Sequence, residues 1–126
     1  MIDLPAAIQS YFVFANSKNW LGMADLFTCD AELRAVGARP RYGRDDVLAF
    51  YPKTTSAWTT NIDTPLRCTT SGSVAVVELL FNGVDTSGRP FEFDAVDVFD
   101  LSEARIRKVS IWYDIAAVQA HMKSLP

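Results

Sequence analysis

An α+β fold is the class this sequence predicts, and three observations lead there. Up to Pro52 the apolar residues recur mainly at helical spacing. From Thr59 onward the period changes to two. Glycine-bearing turn signals then separate the alternating stretches. Helices set apart from a run of antiparallel strands are the mark of an α+β domain. The 126 residues, about half of them apolar (49%), are enough for one domain with its own core, over 1–126.

Asp3 is placed to cap a first helix, with Pro5 in its first turn, where a missing N–H costs nothing. Leu4, Ile8, Tyr11, Phe12 and Ala15 then recur along one face. "NSKN" breaks the pattern, and Asn19 can cap a shorter helix carrying Trp20, Met23, Ala24 and Phe27. "AELRAVG" at 31–37 reads as a short strand and "ARPRYG" as a loop. A third helix starts near Gly43, with Asp45 and Asp46 in the first turn, where the helix dipole favours acids. Val47, Phe50 and Tyr51 form its inner stripe, and Pro52 ends or kinks it. Four strands follow over 61–71, 74–82, 90–101 and 105–113. Asp114 caps a closing helix in which Ile115, Val118 and Met122 share a face.

Several function classes lack their signature. The net charge is −3 with no basic cluster beyond "RIRK" at 105–108, so nucleic acid is not an expected partner. No apolar run reaches the ~18 to 20 residues of a membrane helix. The opening "MIDLPAAIQS" has no basic segment and carries Asp3, so no signal peptide is expected, and the cytoplasm is the expected location. Cys29 and Cys68 have no metal-type spacing and read as free thiols. No metal site and no cofactor are expected: there is no histidine pair and no cysteine cluster. "GARPRYG" is too poor in glycine for a phosphate loop. The single histidine, His121, is a poor member for a Ser/His/Asp set and is expected to be solvated.

One stretch stands out chemically. In "FEFDAVDVFD", strand alternation puts Phe91, Phe93, Ala95, Asp97 and Phe99 on one face. That face is apolar apart from one carboxylic acid. An unpaired carboxylate in a dry site costs several kcal/mol, so Asp97 either pairs or keeps its proton. A backbone N–H, Arg34 or Arg67 could satisfy it. Protonated, it would donate a hydrogen bond into whatever space the apolar face borders. By the same parity, Glu32 and Arg34 face away from that space, whereas Val96, Val98 and Trp112 form an apolar patch on the opposite surface.

Three segments carry a resemblance: "AAIQSYFVFANSKNWLGMADLF" at 6–27, "YGRDDVLAFY" at 42–51, and "FDAVDVFDL" with "RIRKVSIWYD" at 93–114. In order and spacing, over nearly the whole chain, they resemble the NTF2-like superfamily, which includes the SnoaL-like polyketide cyclases and the ketosteroid isomerases. The resemblance implies a cone in which a curved antiparallel sheet wraps the N-terminal helices and leaves a pocket. It implies that Asp97 and Tyr11 occupy the positions of an oxyanion hole, with Tyr51 in support. Phe81, Phe91, Phe93, Phe99, Tyr51 and Tyr113, together with Leu79, would line the pocket. Ala35, or its neighbour Val36, stands where the isomerases carry their basic aspartate, so the base is unassigned. The Arg-x-Asp signature of the superfamily's epoxide hydrolases is missing at Glu92-Phe93-Asp94, and Asp114 reaches the pocket's edge at best. The implied activity is isomerisation or cyclisation of a hydrophobic carbonyl compound by enolate chemistry, without a cofactor. The alternative is a non-catalytic module that binds a small apolar ligand or serves as an interaction domain. The superfamily's habit of pairing through the outer sheet face implies a homodimer through Val96, Val98 and Trp112.

Overall fold

A computed structural model describes residues 2–126. The order of elements is α1 (Ala6–Ser17), α2 (Trp20–Ala24), β1 (Phe27–Ala35), β2 (Arg41–Tyr42), α3 (Arg44–Thr55), β3 (Trp58–Ser71), β4 (Val74–Asp85), β5 (Pro90–Ser102), β6 (Arg105–Tyr113) and α4 (Ile115–Lys123). Six strands form one sheet in the order β2-β1-β6-β5-β4-β3. It is an open, curved sheet packed against helices, the α+β cone that the sequence predicts. Its pairs are antiparallel except β1 with β6, which run parallel. That exception follows from connectivity: β1 and β6 are joined through most of the chain, not by a hairpin turn.

The helices differ in detail from the expected ones. Asp3 does not cap α1. Pro5 holds that position, and its carbonyl accepts from the N–H groups of Ile8 and Gln9. Asn19 does cap α2, its Oδ1 accepting from Gly22 N at 2.9 Å. Pro52 neither ends nor breaks α3, which continues to Thr55. Only one turn follows the proline, so little of the ladder is lost there. The "ARPRYG" loop contains the two-residue strand β2, paired with Glu32 and Leu33 of β1. It delivers the chain to Gly43, whose φ of 88° suits a residue without Cβ at the start of α3.

The core lies between α1, α3 and the sheet. Ile8, Met23, Phe27, Leu33, Val47 and Phe99 are completely buried there. β5 alternates as its sequence predicts, with Ala95, Asp97 and Phe99 inward and Glu92 and Asp94 exposed. On the outer face Trp112 is 49% exposed and Val76 37% exposed. Among the described residues no helix is long and apolar enough to cross a membrane. Cys29 and Cys68 are free thiols.

Candidate active site

A cavity of about 280 Å3 opens between the helices and the concave face of the sheet. Tyr11 of α1, Trp20 of α2 and Tyr51 of α3 border it on the helical side. Leu79, Phe81, Phe93 and Tyr113 border it on the sheet. The aromatic rings touch one another: Phe81 stacks on Phe93 with centroids 4.5 Å apart, and Trp20 stacks on Tyr51 at 6.1 Å. Trp58 completes the wall because β4 has Gly83 where it crosses beneath. A Cβ there would lie 2.6 Å from the indole.

Asp97 lines this cavity and is 4% exposed. Among the described residues nothing hydrogen-bonds or ion-pairs its carboxyl. Arg34 is occupied by Glu32 and Tyr42, and Arg67 by Glu78. Burial raises its pKa well above the ordinary carboxylate value, and the charge of Asp63 raises it further. Burial thus favours the protonated form of the group, which can donate a hydrogen bond. Tyr11 and Tyr51 share a hydrogen bond of 3.0 Å between their hydroxyls, and burial raises both phenols. They remain neutral donors at physiological pH. When Tyr51 donates to Tyr11, the Tyr11 proton is free for a ligand.

Of the residues predicted to line the pocket, Tyr51, Phe81, Phe93, Tyr113 and Leu79 do so, whereas Phe91 and Phe99 lie elsewhere. Phe99 is fully buried in the core, edge-on to Tyr11 and Phe12. Phe91 packs outside the cavity, against the rings of His121, at 4.2 Å, and Trp58, at 6.2 Å. Parity assigns a face of a strand, but the inner face of β5 runs from core to cavity to rim. Ala35 is packed in the core and borders no part of the cavity.

His121 is not solvated. Its Nε2 lies 2.8 Å from Oδ2 of the fully buried Asp85, and its ring stacks on Trp58 and Phe91. Asp114 caps α4 through Ala117 N at 3.0 Å and does not border the cavity. The cap and the histidine together seat α4, and Val118 and Met122 of that helix complete the cavity rim.

Sequence reading missed two polar residues of the cavity, Asn61 and Asp63 of β3. The side-chain oxygen of Asn61 is buried without a hydrogen-bond partner among the described residues. Burial raises the Asp63 carboxyl from the ordinary 3.8 to about 6. Among the described residues no group of histidine, cysteine, aspartate and glutamate is arranged to hold a metal ion.

Residues 8–109 match the family model described as a SnoaL-like domain. The chain belongs to that family. Solved structures show the same fold. One is a protein of ketosteroid isomerase-like fold from Catenulispora acidiphila in complex with trimethylamine. It is 16% identical, with a TM-score of 0.86 over 98% of this chain and 96% of that one. A second is a proposed SnoaL-like polyketide cyclase from Jannaschia sp. CCS1, 16% identical, with a TM-score of 0.85 over 95% and 91%. A third, an epoxide hydrolase from M. tuberculosis, is 12% identical, with a TM-score of 0.78 over 94% and 88%. No curated protein matches the chain in sequence. A proposed cyclase and an epoxide hydrolase share this scaffold, so function must be argued from the site.

Proposed function

We propose that this protein is an enzyme of enolate chemistry, an isomerase or cyclase acting on a small hydrophobic carbonyl compound. One observation carries the reading: a buried, unpartnered carboxylic acid shares an apolar cavity with a hydrogen-bonded pair of phenols. Enolate formation moves the electron pair of an α C–H bond onto the carbonyl oxygen. A neutral Asp97 and the Tyr11 hydroxyl would donate to that oxygen as its charge grows. Loss of one such donor typically costs roughly 10² to 10³ in rate. The chemistry needs a base and an oxyanion hole, which is why no cofactor is invoked.

The test needs no natural substrate. The conjugate base of 2-naphthol places an aromatic oxyanion in the cavity, and its fluorescence reports binding. Asp97→Ala and Tyr11→Phe are each expected to weaken it about 10- to 100-fold, the worth of a hydrogen bond to a charged group. Asp97→Asn, which keeps a weaker donor, is expected to fall between. Unchanged affinity in both Asp97→Ala and Tyr11→Phe would sink the reading.

A second reading is a non-catalytic binding module. It is favoured by a cavity with aromatic walls and two acids but no lysine, arginine or histidine among its lining residues. Such a box suits a small ammonium ion, and the Catenulispora neighbour was crystallised with trimethylamine. Tighter binding of tetramethylammonium than of 2-naphthol would favour this reading over the first. We also propose a homodimer through the outer face around Val96, Val98 and Trp112. Trp112→Glu should then move the sedimentation coefficient from dimer to monomer, and a monomeric unsubstituted protein would refute it.

A further inference from the structure

We propose that Asp63 is the general base of this site, held in place by Asn16. The inference rests on the enolate reading above and supplies the group that reading lacks. Asp63 borders the same cavity as Tyr11, Tyr51 and Asp97. It lies on β3, Asp97 lies on β5, and β4 runs between them. In register Asp63 stands opposite Phe81 and Asp97 opposite Val77, so the two acids are two strands apart and offset by four residues along β4, at different points of one cavity. The Asp63 carboxyl takes no hydrogen bond and no ion pair among the described residues. Its backbone, by contrast, is fixed. Asn16 of α1 donates from Nδ2 to the Asp63 carbonyl at 2.9 Å, and its Oδ1 accepts from Asp63 N at 2.8 Å. The asparagine amide thus pairs with the free edge of β3 as a neighbouring strand would. An edge strand carrying a functional acid is tied to a helix, while the acid itself is left unpartnered.

The two acids then have separate roles. The titratable groups facing Asp63 from the packed elements are Tyr11 of α1, Tyr51 of α3, Asp97 of β5 and Tyr113 of β6, and all are acids. Asp63 is the easiest of them to ionise within the cavity. Once ionised, its charge helps keep the proton on Asp97. Two carboxyls whose environments push their pKa values apart are matched to the work of base and donor. A base near pH 6 is ionised in neutral solution and still basic enough to take a proton from carbon.

The base can be tested apart from the oxyanion hole with 5-nitrobenzisoxazole. The Asp63 carboxylate would take the proton from C3 of the ring. The C–H electron pair becomes a π bond of the new nitrile, the N–O bond breaks, and its pair leaves on oxygen as a coloured phenolate. The unsubstituted protein is expected to open the ring faster than the same concentration of acetate, with a rate that rises through a midpoint near pH 6. Asp63→Asn is expected to lose about 10²-fold or more. It should bind the 2-naphthol anion as tightly as before or more tightly, because a negative charge has gone. A midpoint near 4, no acceleration over acetate, or full activity in folded Asp63→Asn would each overturn the assignment of the base. The pH profile is read on the unsubstituted chain and does not depend on how the variant folds. Loss of naphthol binding in Asp97→Ala with no rate loss in Asp63→Asn would leave the oxyanion hole standing and remove only Asp63.

Discussion

Asp85 and Asp97 are both buried acids on the same β4–β5 hairpin, and the protein treats them in opposite ways. At Asp85, burial alone would raise the pKa. Hydrogen bonds from Ser87 Oγ, Arg89 N, His121 and Ser87 N outweigh it and hold the carboxyl below the usual range. Among the described residues Asp97 receives no such bonds, so burial prevails and raises its pKa, favouring the neutral acid. The first arrangement fastens the β4–β5 turn to α4. The second leaves a carboxyl on a cavity wall where, among the described residues, nothing partners it. A buried polar group left unsatisfied weakens the fold, and such groups are tolerated chiefly where a ligand supplies the missing partner. Asp63 and Asn61 border the same cavity, and among the described residues neither the Asp63 carboxyl nor the Asn61 side-chain oxygen has a hydrogen-bond partner, so the contrast separates two regions of one sheet and not merely two residues.

Asparagine substitutions should divide these acids by sign. Asp85→Asn places an N–H where Oδ2 now faces His121 and Arg89. It is expected to give the largest fall in thermal midpoint of the changes considered. Because the folded pKa is depressed, the native advantage is present above pH 4 and is lost as pH falls below it. Asp97→Asn should do the reverse. Its folded pKa is raised, so the native acid costs nothing below about pH 4, and its penalty grows as pH rises from there to the folded value. The variant is expected to match the parent at pH 3.5 and to be more stable at pH 7. Thermal melts from pH 3 to 8 check both, and a loss of stability at pH 7 in both variants would erase the distinction.

The sequence showed one half of this contrast and hid the other. Asp97 was legible because strand parity isolates a single acid on the greasy face of β5. Tyr11 and Tyr51 were legible through helical spacing and family resemblance. Asp63 was not. β3 is an edge strand with polar residues on both faces, and its register shifts between Trp58 and Thr60 and again between Pro65 and Arg67. Simple alternation therefore fails to mark its inner side. The partnership with Asn16 spans 47 positions, and asparagine near a helix end reads only as a terminus. His121 appeared solvated because its partner, 36 positions away, sits in "NGVDTSG", which announces a turn and nothing about burial. Phe91 and Phe99 share a face with the cavity residues but sit beyond its two ends, a distinction of position along a strand that parity does not carry.

The smallest expected effect is also the one most specific to the contrast. Asn16→Ala removes two hydrogen bonds from the backbone of Asp63, each worth about 1 kcal/mol. It deletes no group that touches a substrate. Without the amide, the edge of β3 takes up water, and the desolvation that raises Asp63 is relieved. The rate of 5-nitrobenzisoxazole opening should fall several-fold. Its midpoint should move from about 6 toward the ordinary carboxylate value, since better hydration favours the anion. A purely structural role for Asn16 would lower the melting temperature and leave the midpoint where it was. Combining Asn16→Ala with Asp63→Asn should add no further loss of rate, because the asparagine acts through the carboxyl that is already gone. Additive losses in the double variant would mean that Asn16 supports the cavity by some route other than Asp63.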